Sequence, residues 1–162
     1  MVRSKGETDE KVKLAPKIRA LEKFCPISLH EIEQALRTNG GKVEFRWNET
    51  IIDDAGQSVD VLIRLNLNCK SAKSSGWTAS LKIGKSNRID CVDFEGGTGW
   101  HRHDFSEEQQ SAERSKSSIT GFHDHLTQAE FLVRALKLMK IAVNKHSDGI
   151  LPFDPGSADS GF

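Results

Sequence analysis

The spacing of apolar positions divides the chain into helical stretches at both ends and a block of strands between them. From about residue 43 to residue 94 the apolar residues recur at every second position, which is typical of strands with one solvated face. The clearest strand carries five apolar residues on one face: Val59, Val61, Ile63, Leu65 and Leu67. This alternation predicts four to five antiparallel strands.

Helical spacing precedes the strands. Pro16 in a first turn, followed by Ile18, Leu21 and Phe24, predicts a short helix that ends before Pro26. A proline is tolerated at the start of a helix, where its missing N–H has no partner to lose. We therefore expect the first helix to include Phe24.

Two capping boxes predict further helices. In each, a hydroxyl and a glutamate three residues later satisfy each other's backbone N–H groups: Ser28 with Glu31, and Thr127 with Glu130. The first of these helices should run to about Thr38. The second should bury Phe131, Leu132, Ala135, Leu136, Met139 and Val143. Helices packed on one face of an antiparallel sheet give the fold class α+β.

Length and composition indicate a single domain. A chain of 162 residues fits one domain with one core, and its hydrophobic content of 36% is low, which indicates that part of the chain is loop or tail. We expect a disordered arm (1–13), one α+β domain (14–146) and a flexible tail (147–162). No apolar run reaches the roughly 18 residues of a membrane span and no leader pattern opens the chain, so a cytoplasmic protein without a membrane partner is expected.

Charge and cysteine usage narrow the chemistry. The formal net charge is zero, so nucleic-acid binding would require a local basic patch. Cys25, Cys69 and Cys91 are few and widely spaced, which favours buried reduced thiols over disulfides or a cysteine-rich zinc site. No cysteine has a histidine close to it in sequence, so a thiol nucleophile is not indicated.

The densest polar cluster lies on either side of a glycine-rich turn. Residues i and i+2 of a strand share a face, so Arg88 is expected to lie beside Asp90, and His101 beside His103. Groups placed in this way can bracket a phosphate or converge on a cation. The alternation then breaks after Cys91, which predicts either a bulge there or a strand covered on both faces.

Three interpretations of this cluster follow. In the first, it cleaves RNA without metal: of His101 and His103, one takes the proton of a 2′-hydroxyl and the other protonates the leaving oxygen. Histidine suits both roles because its unperturbed pKa is about 6.5. Arg88 or Arg102 would then stabilise charge on phosphorus, and Asp90 would orient a neighbour. In the second, His101, His103 and Asp90 are ligands of a divalent metal. In the third, the histidines are ordinary surface residues and Arg88 pairs with an aspartate.

Further residues are candidates for substrate contacts. Trp100 is placed to stack on a base or to cover the sheet edge. His123 and His125, just before the last helix, are candidates to join the same site, although their positions are also explained by a solvent-exposed turn. The polar segment 104–118 predicts an exposed loop, either a partner-binding surface or a solvated excursion.

Arg88-x-Asp90, the glycine turn, His101-x-His103 and the closing helix resemble the TumE-like toxins of bacterial type II toxin–antitoxin pairs. The resemblance covers roughly residues 58–143. It implies a small intracellular toxin that acts on RNA as a ribonuclease and is neutralised by a cognate antitoxin protein. It also implies that Arg88, Asp90, His101 and His103 are catalytic.

The leading hypothesis from the sequence is therefore a ribonuclease toxin that needs no cofactor. Two alternatives come from other classes: a non-catalytic protein-binding inhibitor of phage or mobile-element origin, and a metal-dependent hydrolase. The neutral charge and the polar segment favour the inhibitor, whereas the paired imidazoles favour the hydrolase.

Overall fold

A computed structural model describes residues 13–84, 87–97, 99–103 and 116–144. Most of the expected arm, the expected tail and residues 104–115 of the polar segment lie outside the described residues.

The described residues form helices and strands in the order that the sequence pattern predicts, with three additional short strands. The elements are α1 (Ala15–Ala20), β1 (Lys23–Cys25), α2 (Leu29–Thr38), β2 (Lys42–Ile52), β3 (Ser58–Asn68), β4 (Thr78–Ile83), β5 (Asn87–Glu95), β6 (Gly99–His103), β7 (Lys116–Ser118), α3 (Gln128–Leu138) and β8 (Ile141–Val143). The fold class is α+β, as predicted.

The main sheet is an antiparallel meander. Strands β2 to β6 follow one another in space as they do in sequence, and the three-residue β7 extends the edge beside β6. The five-stranded part was predicted. Strand β7 was not, because its sequence is polar throughout and lies at the end of the expected loop.

A second, parallel pair of strands joins β1 to β8, with Phe24 opposite Ala142. The expected extent of the first helix was wrong: α1 ends at Ala20, and Phe24 is an exposed residue of β1. The expected extent of the last helix was also too long. Helix α3 ends at Leu138, and Lys140 takes a positive φ of 59° before β8 begins.

Both predicted capping boxes are present. The side chain of Ser28 accepts from the N–H of Glu31, and that of Thr127 accepts from the N–H of Glu130, while each glutamate carboxylate accepts from the backbone N–H of its cap residue. The apolar residues predicted for α2 are buried, as are those of α3 up to Met139. In the described part of the chain, no helix has the length and apolar character of a membrane span.

The two faces of the sheet differ. On the face we call the covered face, apolar residues from β2 to β6 pack beneath the helices; Trp77 and Trp100 both contact Phe131 of α3. The opposite face, which we call the polar face, carries Arg46, Arg64, Asn66, Ser80, Lys82, Arg88, Cys91, Asp93, His101 and His103, as the strand register requires. The candidate site lies on this second face.

Candidate functional site

A bulge in β5 determines which candidate residues share a face. Asp90 pairs with Leu81, whereas Arg88 pairs with Lys82, so Ile89 is an extra residue in the ladder. Because Leu81 and Lys82 point to opposite faces, so do Asp90 and Arg88. The expectation that Arg88 and Asp90 lie together was wrong, and the predicted break in alternation is a bulge two residues before Cys91.

His101 and His103 do share a face, and an aspartate joins them. In the register between β5 and β6, Asp93 lies opposite His101 and Cys91 lies opposite His103. The Nε2 atom of His103 is 3.0 Å from Oδ1 of Asp93. Both imidazoles are nearly buried, at 6% and 5% exposure, whereas the Asp93 side chain is 27% exposed. Asp93 therefore marks the open side of the cluster.

The contact with Asp93 favours one tautomer of His103. A carboxylate accepts a hydrogen bond, so the neutral imidazole places its proton on Nε2 and leaves a lone pair on Nδ1. That Nδ1 atom is buried without a hydrogen-bond partner, and so is Nδ1 of His101. Buried ring nitrogens normally find partners, so these two atoms are available to accept from, or donate to, a group that binds there.

A row of cations crosses the polar face next to this cluster. Arg46 lies opposite Arg64, Arg64 opposite Lys82, and Lys82 opposite Arg88. At roughly 4.8 Å between neighbouring strands, the row spans about 14 Å. Like charges that face each other across strands are destabilising. A row of four therefore needs anions to balance it.

The described residues supply only part of the negative charge that balances this row. Glu44 accepts from Arg46 and from Arg64, and the hydrogen bond from Arg64 is the main reason that the pKa of Glu44 is lowered. Within the ranges that the structure describes, no ion pair involves Lys82 or Arg88, and the buried Nε of Arg88 has no hydrogen-bond partner. The half of the row nearest the histidines is therefore the half that could take an external anion.

Asp90 belongs to a buried polar cluster on the covered face. Its carboxylate accepts two hydrogen bonds from Arg102, of 2.9 and 2.7 Å, and a third from the N–H of Cys91. Arg19 of α1 lies 3.6 Å away and donates to the carbonyls of Ile89 and His103. Asp90 and Arg102 thus hold α1 and the β5–β6 hairpin together, and neither is placed beside the imidazoles. The predicted group of metal ligands, His101, His103 and Asp90, was therefore wrong for Asp90.

The buried Lys23 completes the cluster. Its Nζ donates to the carbonyls of Ile18 and Leu21 at 2.6 and 2.9 Å. Desolvation lowers the pKa of Lys23 to about 8, although the negative charge of Asp90 opposes this shift.

Two further sequence candidates lie apart from the polar face. Trp100 is buried, and its ring contacts Phe94, Phe122 and Phe131; it is a core residue and does not offer its ring to a base. His123 and His125 are exposed, with ring centroids 6.4 Å apart. The His123 carbonyl accepts from Ser74.

The sequence interpretation missed Asp93, Cys91 and the cationic row. The sequence did contain a signal for Asp93 and Cys91. Asp93 and His101 are equally far in sequence from Gly97 in the turn, and so are Cys91 and His103. A regular hairpin pairs such residues. Predicting the cationic row would have required the registers of three strand pairs, which the alternation of apolar residues does not give.

Comparison of the chain with protein-family models, with curated proteins and with solved structures finds no match.

Proposed function

We propose that the polar face binds single-stranded RNA and cleaves it by general acid–base catalysis, with His103 as the base and His101 as the acid. The observation that carries this proposal is the buried imidazole pair next to the half of the cationic row that has no ion pair with a described residue. Asp93 replaces Asp90 as the carboxylate of the site, and Arg88 keeps its expected place beside phosphate.

The chemistry follows from the state of each ring. The Nδ1 lone pair of His103 accepts the proton of a ribose 2′-hydroxyl while the 2′-oxygen attacks phosphorus. Asp93, hydrogen-bonded to Nε2, stabilises the imidazolium that forms. His101, as the general acid, gives a proton to the 5′-oxygen as the bond from phosphorus to that oxygen breaks. The products are a 2′,3′-cyclic phosphate and a free 5′-hydroxyl, and no metal takes part.

The cationic row supplies binding. Lys82 and Arg88 neutralise phosphates of the RNA backbone, which also removes the repulsion between these two side chains. Arg88 additionally donates from its unpartnered Nε to a phosphate oxygen in the transition state. This contact is not sequence-specific, so we expect the base preference to be weak.

Cleavage is tested with purified protein in buffer containing EDTA and a labelled single-stranded RNA. We expect His101→Ala and His103→Ala each to slow cleavage about 10² to 10⁴-fold, since each removes one proton-transfer group. His123→Ala and His125→Ala are the matched controls, because they remove an exposed His-x-His pair. Equal activity of the His101→Ala and His103→Ala variants and their two controls would refute the proposal, as would products without a cyclic phosphate.

Binding is tested separately with a 2′-O-methyl RNA, which lacks the attacking hydroxyl. Affinity for a single strand should fall with salt at a slope of about 0.7 per neutralised phosphate. Lys82→Met and Arg88→Met should each reduce that slope by about 0.7. Lys70→Met and Lys73→Met, on the exposed loop before β4, should not. A slope that is the same in all four variants would place RNA elsewhere.

The toxin role and the antitoxin partner follow from the resemblance and are proposed with the activity. Induced expression should arrest growth and degrade RNA, and His101→Ala and His103→Ala should abolish both effects. Normal growth with intact RNA would favour the protein-binding inhibitor instead, for which the Lys82 and Arg88 side of the sheet would be the surface to test.

A further inference from the structure

Three side chains of different chemistry converge at the centre of the polar face. One sulfur of Cys91, one carboxylate oxygen of Asp93 and one ring nitrogen of His103 all lie within 4.8 Å of one another. The register explains the arrangement: Cys91 faces His103 directly across β5 and β6, and Asp93 is two residues further along the same face. The cluster is thus fixed by backbone pairing and does not depend on a loop.

A second observation points to a ligand between two of these side chains. The Nε2 atom of the nearly buried His103 lies 3.0 Å from Oδ1 of Asp93, which is close to the separation of two ligand atoms on one ion. An ion that both residues bind takes the place of the proton on Nε2, and the neutral imidazole then carries its proton on Nδ1, which has no hydrogen-bond partner.

We propose that Cys91, Asp93 and His103 bind a divalent transition metal of the Zn²⁺ type. Thiolate, imidazole and carboxylate are all donors that Zn²⁺ accepts, at about 2.3, 2.0 and 2.1 Å respectively. Tetrahedral bonds of these lengths place the ligand atoms roughly 3.3 to 3.6 Å apart, so small side-chain rotations close the group around the ion. Zn²⁺ is bound by displacing the thiol proton of Cys91 to solvent, and a water completes the fourth position.

Metal binding would also regulate the site, and this part rests on the proposed function. An ion on Nε2 of His103 leaves the imidazole proton on Nδ1, so Nδ1 no longer has the lone pair that takes the 2′-hydroxyl proton. An occupied site therefore cannot start RNA cleavage. Zn²⁺ should act as an inhibitor, in contrast to the metal-dependent hydrolase that the sequence also suggested.

The metal site is tested without RNA, by titrating reduced, EDTA-treated and desalted protein with Co²⁺ under argon. We expect one equivalent to bind, with visible bands of four-coordinate cobalt and a near-ultraviolet band from thiolate-to-cobalt charge transfer. Cys91→Ala should lose the charge-transfer band and bind at least tenfold more weakly. Cys69→Ala is the matched control, because Cys69 is a buried thiol of the hydrophobic core, to which Cys91 does not belong, and it should leave the spectrum unchanged. Absence of the band in wild type, or its persistence in Cys91→Ala, overturns the site.

Regulation is tested by RNA cleavage with and without one equivalent of Zn²⁺. Wild type should lose at least nine-tenths of its metal-free rate, and Cys91→Ala should keep its rate in both conditions. Equal wild-type rates with and without Zn²⁺, or a higher rate with it, overturn the inhibitory role while the cobalt result stands. If metal-free wild type does not cleave RNA at all, the proposed function fails together with the inhibition, and the metal site is judged by cobalt alone.

Discussion

Replacing Arg102 with methionine distinguishes a structural role of this arginine from the phosphate contact that the sequence suggested. Asp90 is fully buried, and Arg102 provides two of its three hydrogen bonds from protein donors. Breaking a buried ion pair by removing one partner typically costs 3 to 5 kcal/mol. Arg19 at 3.6 Å and the nearby Lys23 leave positive charge beside the carboxylate, so we expect the lower end, about 3 kcal/mol.

The assay is urea unfolding followed by tryptophan fluorescence, since all three tryptophans are buried. With a slope of about 2 kcal/mol per molar urea, the midpoint of Arg102→Met should fall by about 1.5 M. Arg37→Met, an exposed arginine in the last turn of α2, is the control and should change the unfolding free energy by less than about 0.5 kcal/mol. Where Arg102→Met remains folded, its affinity for RNA should equal that of wild type.

A double variant isolates the buried charge. Asp90→Leu combined with Arg102→Met removes both charges, so it should be more stable than Arg102→Met alone. The reasoning is refuted if the unfolding midpoint of Arg102→Met lies within about 0.3 M urea of that of wild type. It is also refuted if the substitution lowers the affinity for RNA without changing the stability.

Two further predictions concern other parts of the fold. The pKa of Lys23 is lowered from 10.5 to about 8 in the folded protein. Between about pH 8 and pH 10.5 the unfolded chain therefore binds a proton that the folded protein lacks. The contribution of Lys23 to stability rises with pH across this range. The unfolding free energy of wild type minus that of Lys23→Met should therefore grow between about pH 7.5 and pH 9.5, by up to about 2 kcal/mol; the same difference taken with the exposed Lys137→Met should stay flat. Thr127→Ala should lose about 1 kcal/mol in urea unfolding, because the capping box at α3 loses its hydroxyl acceptor, whereas Thr127→Ser should lose much less; equal losses would show that the hydroxyl is not what matters.

Local signals were sufficient for most of the fold. The starts of two helices were predicted from the pairs Ser28–Glu31 and Thr127–Glu130, because a capping box lies within four residues of sequence. Alternation gave the strands because one face of the sheet is buried and the other is not. Strand β1 could not be predicted in this way: it has three residues, and Phe24 is exposed although apolar. Its pairing with β8 is decided by tertiary packing.

The candidate site was predicted only in part, for one physical reason. His101 and His103 lie on a regular strand, so the rule that residues i and i+2 share a face holds for them. Ile89 breaks that rule for Arg88 and Asp90 by adding one residue to β5. Which residue of a strand forms a bulge depends on the partner strand, and the sequence of β5 alone does not contain that information.

The parallel pair of β1 and β8 has a consequence for how the chain folds as it is made. The Asn144 side chain donates to the Pro26 carbonyl across 118 residues of sequence, and Lys23 pairs with Ile141 close by. Until β8 has left the ribosome, β1 lacks its only partner strand within the described residues. The meander from β2 to β6 consists of neighbours in sequence and can form earlier, since short loops close fast. We therefore expect the pairing of β1 with β8, a contact between distant parts of the sequence, to form after the meander.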